Sequence, residues 1–315
     1  MLRREKVTLL HIHLSGHIDQ LPLIQWFARP YIVTLHAFSL RRWGKKSWLY
    51  RCHYRSLLRN AAAVTAVSPR LAQDATVAMP WLASRLHIVP NGIDISCDRE
   101  SAAYRAPETA RVTSAIRPAR SSAQDGAEQL QRPYILSVGN LCFEKGMDAL
   151  LLAYHDLLGE GFDADLVLCG LDCADGFMQD LARRLGLGRR CRFLGASGAL
   201  PHEDVLRMMR ECLFYVCPSR EESFGLALME AMACGRAVIA SKTAGPSWYV
   251  RHKINGLLVD PGDVLALKSA MRTLAADAAL RKKLEMRAPR VTRVFTWQNA
   301  MRRYSKTYEL AVAGA

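Results

Sequence analysis

Tyr215-Val-Cys-Pro-Ser-Arg-Glu-Glu-Ser-Phe-Gly-Leu-Ala-Leu-Met-Glu-Ala-Met-Ala-Cys-Gly235 decides the fold. An apolar run, Leu213 to Cys217, stops at Pro218 and reads as a buried strand. Polar residues 219–223 predict a loop, and from Gly225 the residues favour helix until Gly235 stops it. Glu222 precedes that helix and Glu230 lies inside it. A strand, a loop and a helix N-terminus carrying acids is how open α/β sheets bind nucleotides and sugars at their carboxyl edge.

The same alternation continues on both sides. Downstream of Pro133 the sequence predicts strands at Tyr134–Val138, Asp165–Cys169, Cys191–Leu194, 237–240 and 256–259. Helices are predicted from Met147 and over 175–185, 201–210 and 263–275, so this half is a complete doubly wound domain. The first hundred residues predict strands 7–13, Tyr31–Leu35, Ala63–Val67 and Leu86–Val89, with helices at Leu21–Ala28, at 45–60 and after the Ser68-Pro69 cap. Between the halves, 97–131 is rich in Ser, Ala, Arg, Glu and Pro and has no period. The expected organisation is a first α/β domain over 1–96, a mobile linker over 97–131, a second domain over 132–290, and a C-terminal segment, 291–315. That segment's amphipathic helix is expected to pack back toward the first domain.

A chain of 315 residues with 50% hydrophobic and 23% charged residues suits two globular domains. No apolar run approaches the roughly 18 residues of a membrane span. The basic start Met-Leu-Arg-Arg-Glu-Lys precedes too short an apolar stretch for a signal peptide, which makes a cytoplasmic location the expectation. The nine cysteines include no Cys-x-x-Cys pair and read as small buried hydrophobes, not as a zinc site or a disulfide framework.

The net charge of +14 is uneven, with no Asp or Glu from Gln20 to Gln73. Within that stretch Arg51, Arg55 and Arg59 fall at i, i+4 and i+8 of a helix, interleaved with Trp43, Trp48, Tyr50 and Tyr54. Basic and aromatic residues on one helix describe contact with an anionic membrane surface, here at the inner face of the membrane. A merely solvated basic face is the plain alternative, and nucleic acid is not expected as a partner.

Three loops of the second domain carry the candidate chemistry. Lys145-Gly146 precedes a helix, where a point charge and free backbone N–H groups can hold phosphate. Glu222 can accept hydrogen bonds from vicinal sugar hydroxyls. Glu230 alone would read as an ordinary helix residue, and only its combination with the other two changes that.

Taken together, three blocks resemble the retaining glycosyltransferases of family 4, whose B-type fold has two Rossmann-like domains facing a cleft. They are Ser137-Val-Gly-Asn-Leu-Cys-Phe-Glu-Lys-Gly146, Cys217 to Gly235, and Asn255-Gly-Leu-Leu-Val-Asp-Pro-Gly262. His11-Ile-His13, Thr34-Leu-His36, Ala66-Val-Ser68 and Pro90-Asn-Gly-Ile-Asp94 fit as well. The resemblance implies that Glu222 holds hydroxyls of a donor sugar, helped by the N–H groups of Phe224, Gly225 and Leu226. Glu230 would accept the ribose hydroxyls, and Gly170 and Gly195 would lie near base and ribose. Lys145 would neutralise a diphosphate leaving group, so neither a metal ion nor another cofactor is expected. His36 would face the donor sugar. The implied partners are a nucleotide sugar and a lipid-linked or oligosaccharide acceptor, and the implied chemistry is front-face transfer with retention.

This sequence departs from that pattern in three places. Asn140 stands where the family carries an Arg at the diphosphate, and a lost charge-assisted bond there is worth roughly 1.5–3 kcal/mol. Ala244-Gly-Pro-Ser-Trp248 lacks the acid that usually follows the glycine pair. Strand 7–13 corresponds to the family's fourth strand, so the first domain is expected to be incomplete and that strand to form an exposed apolar edge. An active transferase and a truncated homologue that binds nucleotide sugar without transfer both remain open. A nucleotide-sugar epimerase or phosphorylase on the same fold is a third and remoter reading.

Overall fold

The computed structural model describes residues 8–15, 30–38, 40–93 and 132–313 and divides the chain into two compact units. The helix expected at Leu21–Ala28 and the linker 97–131 lie outside the described residues.

The first unit joins the N-terminal segment to residues from Val294 onward. Its sheet runs β1 (Leu10–Leu14), β2 (Tyr31–Leu35), β3 (Ala63–Ala66), β4 (Leu86–Ile88), all parallel and in sequence order. β2 and β3 are buried along their whole length, which is why they read as continuous apolar runs. The helix expected over 45–60 is α2 (Trp48–Asn60), and a separate short helix, α1 (Leu40–Lys45), precedes it. Ser47 separates them because its hydroxyl accepts from the Tyr50 N–H and starts a new N-terminus. Ser68 caps α3 (Pro69–Ala78) in the same manner, through the Leu71 N–H.

β1 is the outermost strand among the described residues, at the sheet edge where it is expected. Ile12 and Leu14 are buried while His11 and His13 line the opposite face. The last helix of the chain, α12 (Trp297–Ala313), belongs to this unit, packs on β2 and β3, and stacks Tyr304 on Tyr308 at 6.0 Å.

The second unit has six parallel strands: β5 (Tyr134–Val138), β6 (Asp165–Cys169), β7 (Cys191–Leu194), β8 (Phe214–Cys217), β9 (Val238–Ser241) and β10 (Leu257–Val259). Their spatial order is β10-β9-β8-β5-β6-β7. Two parallel halves therefore meet between β5 and β8, the topological switch point of a dinucleotide-type sheet. Helices α4 (Met147–Gly159), α5 (Phe177–Arg184), α6 (His202–Glu211), α7 (Leu226–Ala233) and α9 (Val264–Ala276) follow five of those strands, and the short α8 (Pro246–Tyr249) follows β9. Ile135, Leu166, Phe214, Val216 and Ile239 share one core with Leu150, Tyr154 and Met271. The sequence reading stopped short of α10 (Ala278–Arg287), whose single fully buried residue, Leu284, leaves almost no apolar stripe to detect.

Candidate functional site

In open α/β sheets the crevice beyond the switch point is where ligands sit. Here it lies between the loop leaving β5, residues 139–146, and the loop leaving β8, residues 218–225. Gly146, at the end of the first, has φ +70 and lies so close to the Pro218 carbonyl that a Cβ could not be accommodated. That contact requires glycine both for backbone conformation and for space.

Side chains then lock the two loops together. Arg220 donates to both carboxylate oxygens of Asp148 at 2.6 and 2.8 Å, and its Nη1 also reaches the Phe143 carbonyl at 2.7 Å. The Arg220 N–H adds a bond to the Glu144 carbonyl at 2.8 Å. The hydrogen bonds to Asp148 hold the guanidinium pKa above its ordinary value. A bidentate fork of this kind sets an angle as well as a distance. On the far side, the buried Tyr249 hydroxyl donates to the Phe224 carbonyl at 2.7 Å, and the Gly245 N–H donates to the Glu222 carbonyl at 2.8 Å.

The product of this bracing is an ion pair. Lys145 Nζ lies 2.7 Å from Glu222 Oε2, across 77 residues of sequence, with both side chains largely out of solvent. Burial pushes the Lys145 ammonium down, but the Glu222 carboxylate outweighs it and the pKa ends above the ordinary lysine value. Lys145 is therefore charged at neutral pH. A fixed ammonium at the mouth of a switch-point crevice can meet a phosphate, and a carboxylate beside it can meet hydroxyls.

The remaining predicted residues are placed around this pair. Gly225 has φ +85 and opens α7, and no side chain caps that helix. Backbone N–H groups of the turn at Phe224, Gly225 and Leu226 thus begin a helix whose dipole favours an anion or partial negative charge. Glu230 lies one turn further along α7, and burial raises its carboxyl pKa while His202, 3.8 Å away, opposes the shift. Gly170 and Gly195 end β6 and β7, and a Cβ on Gly170 would meet the Gly139 carbonyl. Asn140 is exposed on the β5 loop. Tyr215 sits beneath, its hydroxyl donating to the Val138 carbonyl at 3.1 Å. Burial raises that phenol well above its usual range, with Glu222 and Glu230 adding to the shift. Among the described residues no three His, Cys, Asp or Glu side chains are grouped to hold a metal ion.

His36 belongs to the first unit, at the carboxyl end of β2. Its Nε2 is 2.8 Å from His13 Nδ1, and the His11 and His13 rings lie 4.0 Å apart. Arg51, Arg55 and Arg59 lie on α2, where Arg55 and Arg59 stand over the rings of Trp43 and Trp81 at 5.8 and 5.2 Å. Next to them Trp48 and Leu49 are 68% and 70% exposed.

Sequence reasoning missed Arg220, Asp148, Tyr249 and His202. Asp148, in the first turn of its helix, looks like a dipole-complementing acid, and nothing marks its partner 72 residues away.

Comparison with known proteins identifies the family. The model of "Glycosyl transferases group 1" matches residues 120–291 and that of "Glycosyltransferase Family 4" matches residues 1–96. The D-inositol 3-phosphate glycosyltransferase of Corynebacterium jeikeium is 35% identical over 179 residues, 55% of this chain and 42% of that protein. The match therefore spans less than half of that relative's length. The alpha-maltose-1-phosphate synthase of Mycolicibacterium smegmatis is 28% identical over 87% of this chain and 71% of its own. Among solved structures, sucrose-phosphate synthase from Thermosynechococcus elongatus superposes with a TM-score of 0.73 at 24% identity, covering 98% of this chain and 74% of that one. Anabaena HepE in complex with UDP and glucose gives 0.73 at 20% identity, over 96% and 78% of the two chains. These neighbours share the fold of two parallel α/β sheets that B-type glycosyltransferases have. From its sequence motifs, its switch-point site and these matches together, the chain belongs to the group 1 glycosyl transferases.

Proposed function

We propose that the protein moves a sugar, with retention of anomeric configuration, from a nucleoside diphosphate sugar to a lipid-linked or polysaccharide acceptor. The observation that carries this is the Lys145–Glu222 pair at the switch point, opposite charges of which one suits a diphosphate and the other sugar hydroxyls. The bound UDP and glucose of HepE support the donor class. In this reading Lys145 turns from Glu222 to the diphosphate and neutralises charge as the C1–oxygen bond breaks. Glu222 and the N–H groups of Phe224, Gly225 and Leu226 hold the sugar, Glu230 the ribose, and Gly170 and Gly195 border the base. The acceptor hydroxyl bonds to C1 and its proton passes to the departing phosphate, so no side-chain base and no metal ion is required.

Calorimetry with UDP, GDP and ADP, paired with proton NMR of the anomer formed from a nucleotide sugar, tests this. Binding of one nucleotide and a product of retained configuration are expected, and an inverted product overturns the mechanism. A second reading, nucleotide-sugar binding without transfer, draws support from Asn140, an uncharged side chain where a guanidinium would help the leaving group. Binding without donor hydrolysis or transfer would select it.

For the membrane part, the exposed Trp48–Leu49 pair beside Lys45, Lys46 and Arg51 supports docking of α2 on anionic lipid at the inner membrane face. Arg51, Arg55 and Arg59 replaced together by Gln should reduce binding to anionic vesicles, and unchanged co-sedimentation refutes the docking. Among the described residues no helix is long and apolar enough to cross a membrane.

A further inference from the structure

Two cysteines of the second unit fall opposite each other in backbone register where the β5 and β6 segments end. The β5–β6 ladder pairs Val138 with Cys169. The same offset persists three residues on, where Leu141 forms an isolated parallel bridge with Asp172. That bridge is held by the Leu141 N–H on the Leu171 carbonyl at 2.8 Å and the Cys173 N–H on the Leu141 carbonyl at 3.3 Å. The next pair in this register is Cys142 and Cys173. Opposed residues of a parallel pair project to the same face, and neighbouring strands run about 4.8 Å apart. A disulfide accepts Cα separations of roughly 4.4–6.8 Å.

Other features single out this pair. Cys142 keeps a strand-like backbone, with φ −152 and ψ 166. Cys173 is exposed and Cys142 half-buried, so both are within reach of solution. No other cysteines oppose each other in the strand ladders: Cys169 faces Val138 and Leu194, Cys191 faces Leu166, and Cys217 faces Ala240. Directly after the pair one segment enters the 143–145 turn and the other leads to α5, and Phe143 and Phe177 keep the two together with ring centroids 4.9 Å apart.

We infer that Cys142 and Cys173 are a redox-active pair that closes to a disulfide under peroxide and reopens with dithiol. The exposed Cys173 thiolate attacks one peroxide oxygen and becomes a sulfenic acid, releasing water. The Cys142 sulfur then displaces the sulfenic oxygen as a second water. Two thiols and one hydrogen peroxide give one disulfide and two waters, with sulfur oxidised and peroxide reduced. Burial pushes the Cys142 thiol pKa up, in keeping with the second, resolving role. The bond ties the turn that carries Lys145 to the loop after β6. That consequence for ligand binding rests on the function proposed above, whereas the bond itself does not.

Peroxide-treated full-length protein, blocked with iodoacetamide and digested with trypsin, tests the bond. A linked species is expected between the peptide containing Cys142 and the peptide running from Gly146 to Arg183. It should vanish with dithiothreitol, in Cys142→Ser and in Cys173→Ser, and persist in Cys169→Ser. Persistence in Cys173→Ser, or complete alkylation of both cysteines after peroxide, overturns the inference. UDP calorimetry on reduced and oxidised protein separates the two claims. Reduced protein that ignores every nucleotide counts against the proposed function and leaves the peptide link to stand or fall by itself.

Discussion

Two carboxyl edges of parallel sheet in this molecule solve the same problem in opposite ways. At the end of β1 and β2, His11, His13 and His36 form a cluster kept neutral. His11 Nε2 is 2.6 Å from Thr34 Oγ1, whose hydroxyl also reaches Thr65 at 2.6 Å, while His11 Nδ1 is 2.9 Å from the Tyr308 hydroxyl. Burial, with the neighbouring imidazoles, lowers the His11 pKa to about 4. Burial also lowers His13 and, together with the His13 charge, lowers His36. At the end of β5 and β8, charges are kept and paired, Lys145 on Glu222 and Arg220 on Asp148. Where an edge offers only imidazoles and hydroxyls, desolvation favours neutral groups. Where opposite charges meet across two loops, charge-assisted hydrogen bonds satisfy both partners.

The contrast can be broken most strongly at Lys145. Lys145→Ala should weaken UDP binding roughly 10- to 150-fold, the equivalent of about 1.5–3 kcal/mol for one charge-assisted bond, measured by calorimetry. Unchanged affinity would remove the ammonium from the site. Next in size, Arg220→Ala opens the clamp and should cost about 1–3 kcal/mol of stability in urea unfolding. Asp148→Ala should cost a similar amount, and the double variant much less than their sum if the two act as one unit.

On the neutral edge, Thr34→Val removes the hydroxyl shared by His11 and Thr65. It should destabilise by about 1–2 kcal/mol and leave UDP affinity within error. A marked loss of affinity would show that the two edges are not separable. The same edge also responds to pH. His11 titrates near 4 when folded and near 6.5 when unfolded, so between those values the unfolded chain binds more protons. Stability from this group is complete above about 6.5 and fades as pH falls toward about 4. His11→Gln should flatten urea-midpoint curves in that window, and curves of equal slope would refute the burial effect.

Much of the fold was legible because parallel strands read as short, mostly apolar runs bounded by turn residues. Tyr134–Val138, Asp165–Cys169 and Cys191–Leu194 begin and end where the sequence predicted. Tyr31–Leu35 did so for the same reason. The short helix α1 was hidden because its six residues, Leu-Arg-Arg-Trp-Gly-Lys, carry too few apolar positions to show a period. α10 was hidden because it buries too little to leave a period. For the candidate site, Lys145 and Glu222 were legible as charged residues on loops at the carboxyl edge, and Glu230 as an acid inside the helix that follows.

By itself, then, the sequence determined where strands and helices fall, which loops lie at the carboxyl ends, and which of their residues bear charge or lack a side chain. These are local properties, set by hydrophobic period, caps and glycine. Tertiary structure alone decided that Lys145 meets Glu222, that Arg220 grips Asp148, and that His13 meets His36. Each such pair joins segments that belong to separate strands or follow them. Only the sheet order β10-β9-β8-β5-β6-β7, and the neighbouring of β1 and β2, brings those segments together.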